Sequence, residues 1–251
     1  MTITLGSPLG AFPVVELRRY TTRAGVRERF ASYFETFFPE AFEQLGAIVA
    51  GSFYERGDAR GFTWVRGFHD LDARAVVCGA FYYGPLWKEH RQKVNDLLID
   101  SDNVLLLRAL APERGVAVLP AVDPVSESDG AHGTVVAQIF TVQPGALEAF
   151  VPAAEAVFSR YRDAGAREAG VFVTLDVPNN FPQHAIRSDG PHLVWLGILE
   201  DEAALEQSFL PLVERAQPAL TATNLVRHPP ELLILDPTRR SRMRWLSQEK
   251  R

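Results

Sequence analysis

YTTRAGVRERF, residues 20–30, and FTVQPGALEAF, residues 140–150, carry an aromatic, a Thr, a Gly and a closing Phe at the same spacing. Tyr20 pairs with Phe140, Thr21 with Thr141, Gly25 with Gly145 and Phe30 with Phe150, a constant offset of 140 − 20 = 120. Each copy sits where a strand pattern gives way to a helix pattern. Before Tyr20, VVELRRY is short, β-branched and alternating, the mark of a half-buried strand. After Gly25, the residues Val26, Phe30, Tyr33, Phe34, Phe37 and Ala41 recur at three- and four-residue steps, a helical stripe that Pro39 kinks or divides. In the second copy TVVAQIFTV is the strand, and Leu147, Phe150, Val151, Ala154, Phe158 and Tyr161 form the stripe.

The echo runs on. AIVAGSFYE is matched by EAGVFVTL, and GFTWVRGFHDLDA by HLVWLGILEDEAA, with Gly67 on Gly197. That offset is 197 − 67 = 130, so ten extra residues fall in VPNNFPQHAIRSDGP, residues 177–191. Further helix patterns and the strands NVLLLRAL and ELLILDP complete the halves. Each half reads β-α-β-β-α-β, the ferredoxin-like order. The expected fold class is α+β: ferredoxin-like repeats at residues 12–112 and 133–238, a Pro/Gly/Ser-rich linker at 113–132 and a basic tail at 239–251. A four-stranded sheet with helices on one face leaves its other face bare. Two such sheets in one chain cover each other and close a barrel-like core.

Composition narrows the function classes. With 251 residues, 47% hydrophobic and 23% charged, the chain is ordinary for a globular protein. A formal charge of −5 supplies no basic face for nucleic acid. One cysteine, Cys78, rules out an internal disulfide and fits a reducing compartment. No targeting pattern opens the sequence and no apolar run reaches the length of about 18 residues that spans a bilayer, so a cytoplasmic protein without membrane contact is expected. HxH, HExxH, CxxC, GxGxxG and GxSxG spacings are all missing, and no metal site is expected.

VELRRYT followed by a Gly and a helix, GSFYERG, WVRGFHDLDAR, a Trp-bearing helix and NVLLLRAL resemble the NIPSNAP family of the dimeric α/β-barrel superfamily, over roughly residues 14–110. The later copy keeps the skeleton but lacks the charged strand motif and the Asp-Leu-x-x-Arg helix start. The resemblance implies a small-molecule pocket between the sheets and homo-oligomerisation, as a dimer, without implying a settled reaction. Its superfamily includes cofactor-free monooxygenases, isomerases, cyclases and haem proteins. Haem-bearing relatives present a histidine from a C-terminal-repeat helix, and DEAALEQSFLPLVERAQPAL has none, so no cofactor is expected.

Alternation then sorts the strand residues. Val15 and Leu17, with Val135, Ala137 and Ile139, form the consistently apolar set and are assigned to helix packing. Glu16, Arg18, Tyr20, Trp64 and Arg66 are thereby assigned to the inter-sheet cavity, facing Val136, Gln138, Phe140 and Val194, with His192 at the entrance. Such a cavity suits a small amphipathic organic ligand whose acidic or enolic end meets Arg18 or Arg66. Glu16 is a candidate general base if apolar surroundings raise its pKa, or half of a structural ion pair with Arg18 or Arg66. Tyr20 is a candidate oxyanion donor and His69 a candidate acid or base, beside Asp70 as a helix N-cap. Trp64, Gln138, His184 and His192 complete the candidate binding set; His184 comes from the inserted loop, which reads as a lid, a dimer contact or a surface excursion. The expected function is a cofactor-independent enzyme of isomerase, cyclase or monooxygenase type, with ligand binding without turnover and a scaffold role as alternatives.

Overall fold

Both quoted stretches open helices. In the computed structural model, which describes residues 12–116 and 118–246, strand β1 (Val14–Thr22) turns through Gly25 into α1 (Arg27–Phe37), and β5 (Thr134–Thr141) turns through Gly145 into α5 (Leu147–Asp163). The two glycines adopt φ of 73° and 75°, a region that a Cβ penalises. Pro39 divides the first helical stripe and starts α2 (Pro39–Gln44), where its missing N–H costs nothing. The first half continues with β2 (Ala47–Glu55), β3 (Gly61–Phe68), α3 (Leu71–Tyr82), α4 (Pro85–Leu97) and β4 (Leu98–Ala109). The second continues with β6 (Arg167–Thr174), β7 (His192–Leu199), a π-helical segment Ala204–Phe209 running into α6 (Leu210–Ala222), and β8 (Glu231–Pro237).

The eight strands close a barrel in the order β1-β3-β2-β8-β5-β7-β6-β4, every neighbour antiparallel. Closure pairs the edge strands of one half with those of the other. The halves meet at two short seams, β2 with β8 and β4 with β6.

Inside the barrel lies an apolar core shared by both halves. Val15, Leu17, Val65, Leu105 and Leu107 meet Val135, Ala137, Ile139, Val194, Leu196 and Leu235. This reverses the facing expected from alternation: the consistently apolar set packs sheet against sheet, and the charged set of β1 and β3 faces the helices. The reason is solvation. Most of the barrel interior is dry and takes apolar side chains, its polar residues Arg19, Glu55, Thr63 and Glu231 being joined to one another. In the helix layer, by contrast, Arg74, Tyr82 and the loop amides replace the water that Glu16, Arg18 and Arg66 lose. The inter-sheet space is therefore filled by side chains.

The ladders also correct the alignment by one residue. Glu16 pairs with Arg66 and Val136 with Gly197, so the partner of Arg66 in the second half is Gly197, at 197 − 66 = 131. Val49 and Glu168 pair with those same residues, at 168 − 49 = 119, so the insertion is 131 − 119 = 12 residues. Gly67 and Gly197 had been matched as glycines, but they do different work. A Cβ on Gly197 would lie 2.0 Å from the Trp195 ring, while one on Gly67 would meet Phe12 at 2.7 Å.

Residues 239–246 of the basic tail dock on their own chain. Met243 and Trp245 join the barrel core, Trp245 N–H donates to His132 O, and Arg244 binds Glu127 at 2.6 Å. Residues 247–251 lie outside the described residues. Among the described residues no helix is long and apolar enough to cross a membrane.

Candidate functional site

Alternation on two adjacent strands builds the centre of the site. Glu16, Arg18 and Tyr20 from β1 and Trp64 and Arg66 from β3 point toward α1–α4, and the ladder sets Glu16 beside Arg66 and Arg18 beside Trp64. Arg74 arrives from α3. Asp70 caps that helix, its carboxylate accepting from Ala73 N–H at 2.6 Å, and Arg74 follows one turn later on the face toward the sheet.

Glu16 is fully buried and takes three arginines. Its Oε2 accepts from Arg18 at 2.8 Å and from Arg66 at 2.8 Å, and its Oε1 accepts from Arg74 at 2.6 Å. Burial alone would raise the carboxyl, but Arg66, Arg18 and Arg74 outweigh it and hold Glu16 well below the usual carboxylate range. This corrects the expectation of a raised, basic Glu16. A carboxylate so tightly held is a poor proton acceptor; it positions the arginines.

A ring of neutral groups surrounds the cluster. Arg18 Nε donates to the Tyr20 hydroxyl at 3.0 Å and Arg66 to the Tyr82 hydroxyl at 3.2 Å. Arg66 also stacks over Phe42, Trp64 and Phe68, at 5.0, 5.1 and 5.2 Å. Burial pushes the Tyr82 phenol far above its ordinary value, so it keeps its proton.

The inserted loop between β6 and β7 closes this layer from the other half. Asn179 and Asn180 Oδ1 accept from Arg74 at 3.1 and 2.6 Å, and Asn180 Nδ2 donates to Leu71 O at 2.5 Å. Phe181 and His184 pack on Tyr82, His184 edge-on at 4.1 Å. Burial first, then the positive Arg18 and Arg66, lower the His184 pKa to about 3, so its ring is neutral at pH 7.

Between sheet and helices remains a cavity of about 110 Å³. Arg18, Tyr20 and Trp64 form its floor, phenylalanines of α1–α3 its walls, His184 and Gln183 one side, and Asn95, Ser101 and Asp102 its mouth. Trp64 Nε1 and His184 Nδ1 are buried without a hydrogen-bond partner among the described residues.

Four of the residues anticipated from sequence thus line the cavity: Arg18, Tyr20, Trp64 and His184. Glu16 and Arg66 stand behind it. Three fall elsewhere. His69 is exposed past the end of β3 and stacks on Phe12 at 4.6 Å. Gln138 faces the helices of its own half and accepts from Tyr161 at 3.1 Å. His192 lines a separate open groove of about 770 Å³ beneath the inserted loop, near Thr174 and Asp189. That groove is larger and open; of its two arginines Arg187 is matched by Asp189 and Glu231 at 2.8 Å, Arg108 is exposed and donates to Ala109 O, and the groove lacks aromatic walls. Arg74, Tyr82, Asn179 and Asn180 were not anticipated as site residues. For Arg74 a signal existed, its spacing of four from the capping Asp70.

Solved structures share this architecture. A candidate monooxygenase from Lactobacillus acidophilus NCFM matches 90% of this chain and 94% of its own at 12% identity and a TM-score of 0.55. An anthrone oxidase-like protein matches 91% and 93% at 11% identity and a TM-score of 0.54. The fold is that of the dimeric α/β barrels. At such identity the likeness is one of fold alone. A NIPSNAP-like domain protein from Burkholderia xenovorans is similar over a shorter span, 41% of this chain and 90% of its own, at 25% identity and a TM-score of 0.36. No protein-family model and no curated protein matches the sequence. Among the described residues no group of three or more His, Cys, Asp and Glu could hold a metal ion.

Proposed function

We propose that this is a tandem NIPSNAP-like protein that binds a small amphipathic organic molecule in the sheet–helix cavity of its first half and transforms it without a cofactor, by isomerase, cyclase or monooxygenase-like chemistry. Two ferredoxin-like units are the natural division: both halves run strand, helix, strand, strand, helix, strand, and both second strands bulge at the matching place, between Val49 and Gly51 and between Glu168 and Gly170. On this reading the chain is cytoplasmic and works as a homodimer.

The observation that carries the function is a cavity with a cationic floor and aromatic walls, lined by Trp64 and His184, whose buried polar atoms have no hydrogen-bond partner among the described residues. Each of these reaction types has a form that begins with proton abstraction, leaving negative charge on the organic molecule as an enolate or phenolate. Arg18, backed by Arg66 and Arg74, is placed to stabilise that charge in a site largely free of water. Tyr20, held by Arg18, can donate to the same oxygen. A neutral His184 can exchange a proton with the bound molecule.

One observation favours binding without turnover. Glu16 is locked by three arginines, which leaves His184 as the proton acceptor on the loop side, a weak one until an anion binds, and Asp102 out at the mouth. Native mass spectrometry of the purified protein tests the shared part of both readings. An adduct of small-molecule mass, lost on denaturation and depleted in Arg18→Met, is expected. A bare mass under gentle ionisation, unchanged after incubation with cell extract, contradicts occupation of the cavity.

A further inference from the structure

The cluster around Glu16 holds three guanidinium groups and one carboxylate, a formal surplus of 3 − 1 = 2 positive charges, with no member more than 3% exposed. Buried charge is ordinarily matched. Here the other groups bonded to the arginines are neutral: the phenols Tyr20 and Tyr82, the thiol Cys78, and the amides Asn179 and Asn180. Of the three arginines, Arg18 faces the cavity. Its guanidinium carbon lies 5.6 Å from the centre of the Trp64 ring, whose indole N–H is buried and unsatisfied among the described residues. Both residues line the cavity, so a negatively charged acceptor seated on Arg18 lies beside the Trp64 ring, and a small shift of the indole brings its N–H within reach of the same acceptor.

Shape narrows the molecule further. The remaining walls are ring faces and edges from Phe34, Phe38, Phe42 and Phe81, which favour a flat, apolar body. The volume of about 110 Å³ is smaller than that of an engineered cavity of about 150 Å³ that accepts benzene, so two fused rings are excluded and a single ring enters with part of it in the open mouth. Asp102 at the mouth repels a second acidic group there and turns the acid end inward. On the loop side, His184 offers one unsatisfied ring nitrogen to a substituent.

We infer that the cavity takes the anion of a single-ring aromatic acid, its acidic oxygens on Arg18 and the Trp64 indole N–H, with a ring hydroxyl against His184. This deepens the proposed function and rests on its reading of the cavity as a small-molecule site. The loop from the second half then contributes to specificity, since His184 and Gln183 bring polar groups to that side of the ring.

Calorimetric titration of the full chain with benzoate, salicylate and benzyl alcohol tests it. Benzoate should bind saturably and at least about tenfold tighter than benzyl alcohol, the worth of a hydrogen bond to a charged group. Salicylate should bind about fivefold tighter than benzoate, and His184→Leu should remove that advantage while leaving benzoate unchanged. Arg18→Met should erase the preference for the anion. Trp64→Phe, which keeps the ring and deletes the N–H, should weaken benzoate about fivefold and decides the matter if Arg18→Met fails to fold. Benzyl alcohol binding as tightly as benzoate overturns the inference but leaves the cavity a small-molecule site. If none of the three probes binds, the inference and the cavity reading fall together.

Discussion

The two helix layers of this barrel are built on the same ladder and filled in opposite ways. In the first half the ladder partners Glu16 and Arg66 meet α3 through Arg74, and Arg18 stands beside Trp64. In the second half the corresponding positions are Val136 and Gly197, with Gln138 beside Trp195. Asp70 and Asp201 each accept from a backbone N–H three residues on, and the residue four past each is Arg74 in one and Leu205 in the other. Where Arg66 spreads its guanidinium, Trp195 lies flat across Gly197. It stacks on Phe209 at 5.6 Å and leaves no room. One layer is a packed core whose ion network, Glu168 with Arg114 and Arg162, lies at its partly exposed edge; the other buries four charges and encloses a cavity. The difference teaches that the shared ladder is what the fold requires, and that the charge belongs to something added to it.

The largest effect follows from breaking the charge balance. Glu16→Gln leaves three buried guanidinium groups without a carboxylate and should destabilise the protein by about 3–5 kcal/mol, read from urea unfolding. Giving the first layer apolar residues instead, as Glu16→Val with Arg66→Met and Arg74→Leu, should recover most of that loss while abolishing ligand binding, because replacing a buried ionic network by packed apolar groups is often neutral or stabilising. A triple variant as unstable as Glu16→Gln would mean that the charges are needed for folding, and the two layers would not be comparable.

The loop that joins the halves comes next. Asn180→Ala removes one of the three acceptors of Arg74 and the donor to Leu71 O, and should cost about 1–3 kcal/mol in the same unfolding measurement. It should also raise the off-rate of any cavity ligand; equal off-rates would separate the loop from the site.

Acid should weaken the first layer. His184, packed on Tyr82 and Phe181 and close to Arg18, Arg66, Glu16 and Arg74, titrates at about 3 in the folded protein against 6.5 unfolded. The unfolded chain therefore binds the extra proton between those values, and stability falls with falling pH, by up to about 1.4 kcal/mol per pH unit. Glu16, also depressed, adds a loss in the same direction below its ordinary value of 4.5. His184→Gln should flatten the slope between pH 6 and pH 4. An unchanged slope would assign the loss to other groups, His192 first among them, whose pKa burial also lowers.

The smallest effect sharpens the likeness rather than the difference. Gly25→Ala and Gly145→Ala meet no neighbouring atom within 4 Å, so each is charged only for a left-handed backbone, about 1 kcal/mol. Equal costs are expected, and unequal ones would show that the two turns are not the same device.

Those turns are also where the sequence was most legible. A Gly that must sit at positive φ and a Phe that must enter the core recur because each half needs them, and from that echo the strand and helix order could be read. Which face held the charges could not. The rule that the consistently apolar set packs on helices fails when the other face of the sheet is sealed inside a barrel, as Val15 and Val135 are. The register slipped by one because Gly67 and Gly197 looked equivalent and only the ladder separates them. Arg74 and Asn180 stand 106 residues apart, and no local pattern announces a contact of that kind.

The four tryptophans, Trp64, Trp87, Trp195 and Trp245, report separately on the two layers and on the barrel plug. Fluorine NMR of the 5-fluorotryptophan-labelled protein, titrated with benzoate, is therefore the most direct measurement. The resonances of Trp64 and Trp87, which line the cavity, should move with one saturating dependence, while those of Trp195 and Trp245 stay fixed. Movement of Trp195, or of no resonance at all, would contradict the assignment of ligand binding to the first layer.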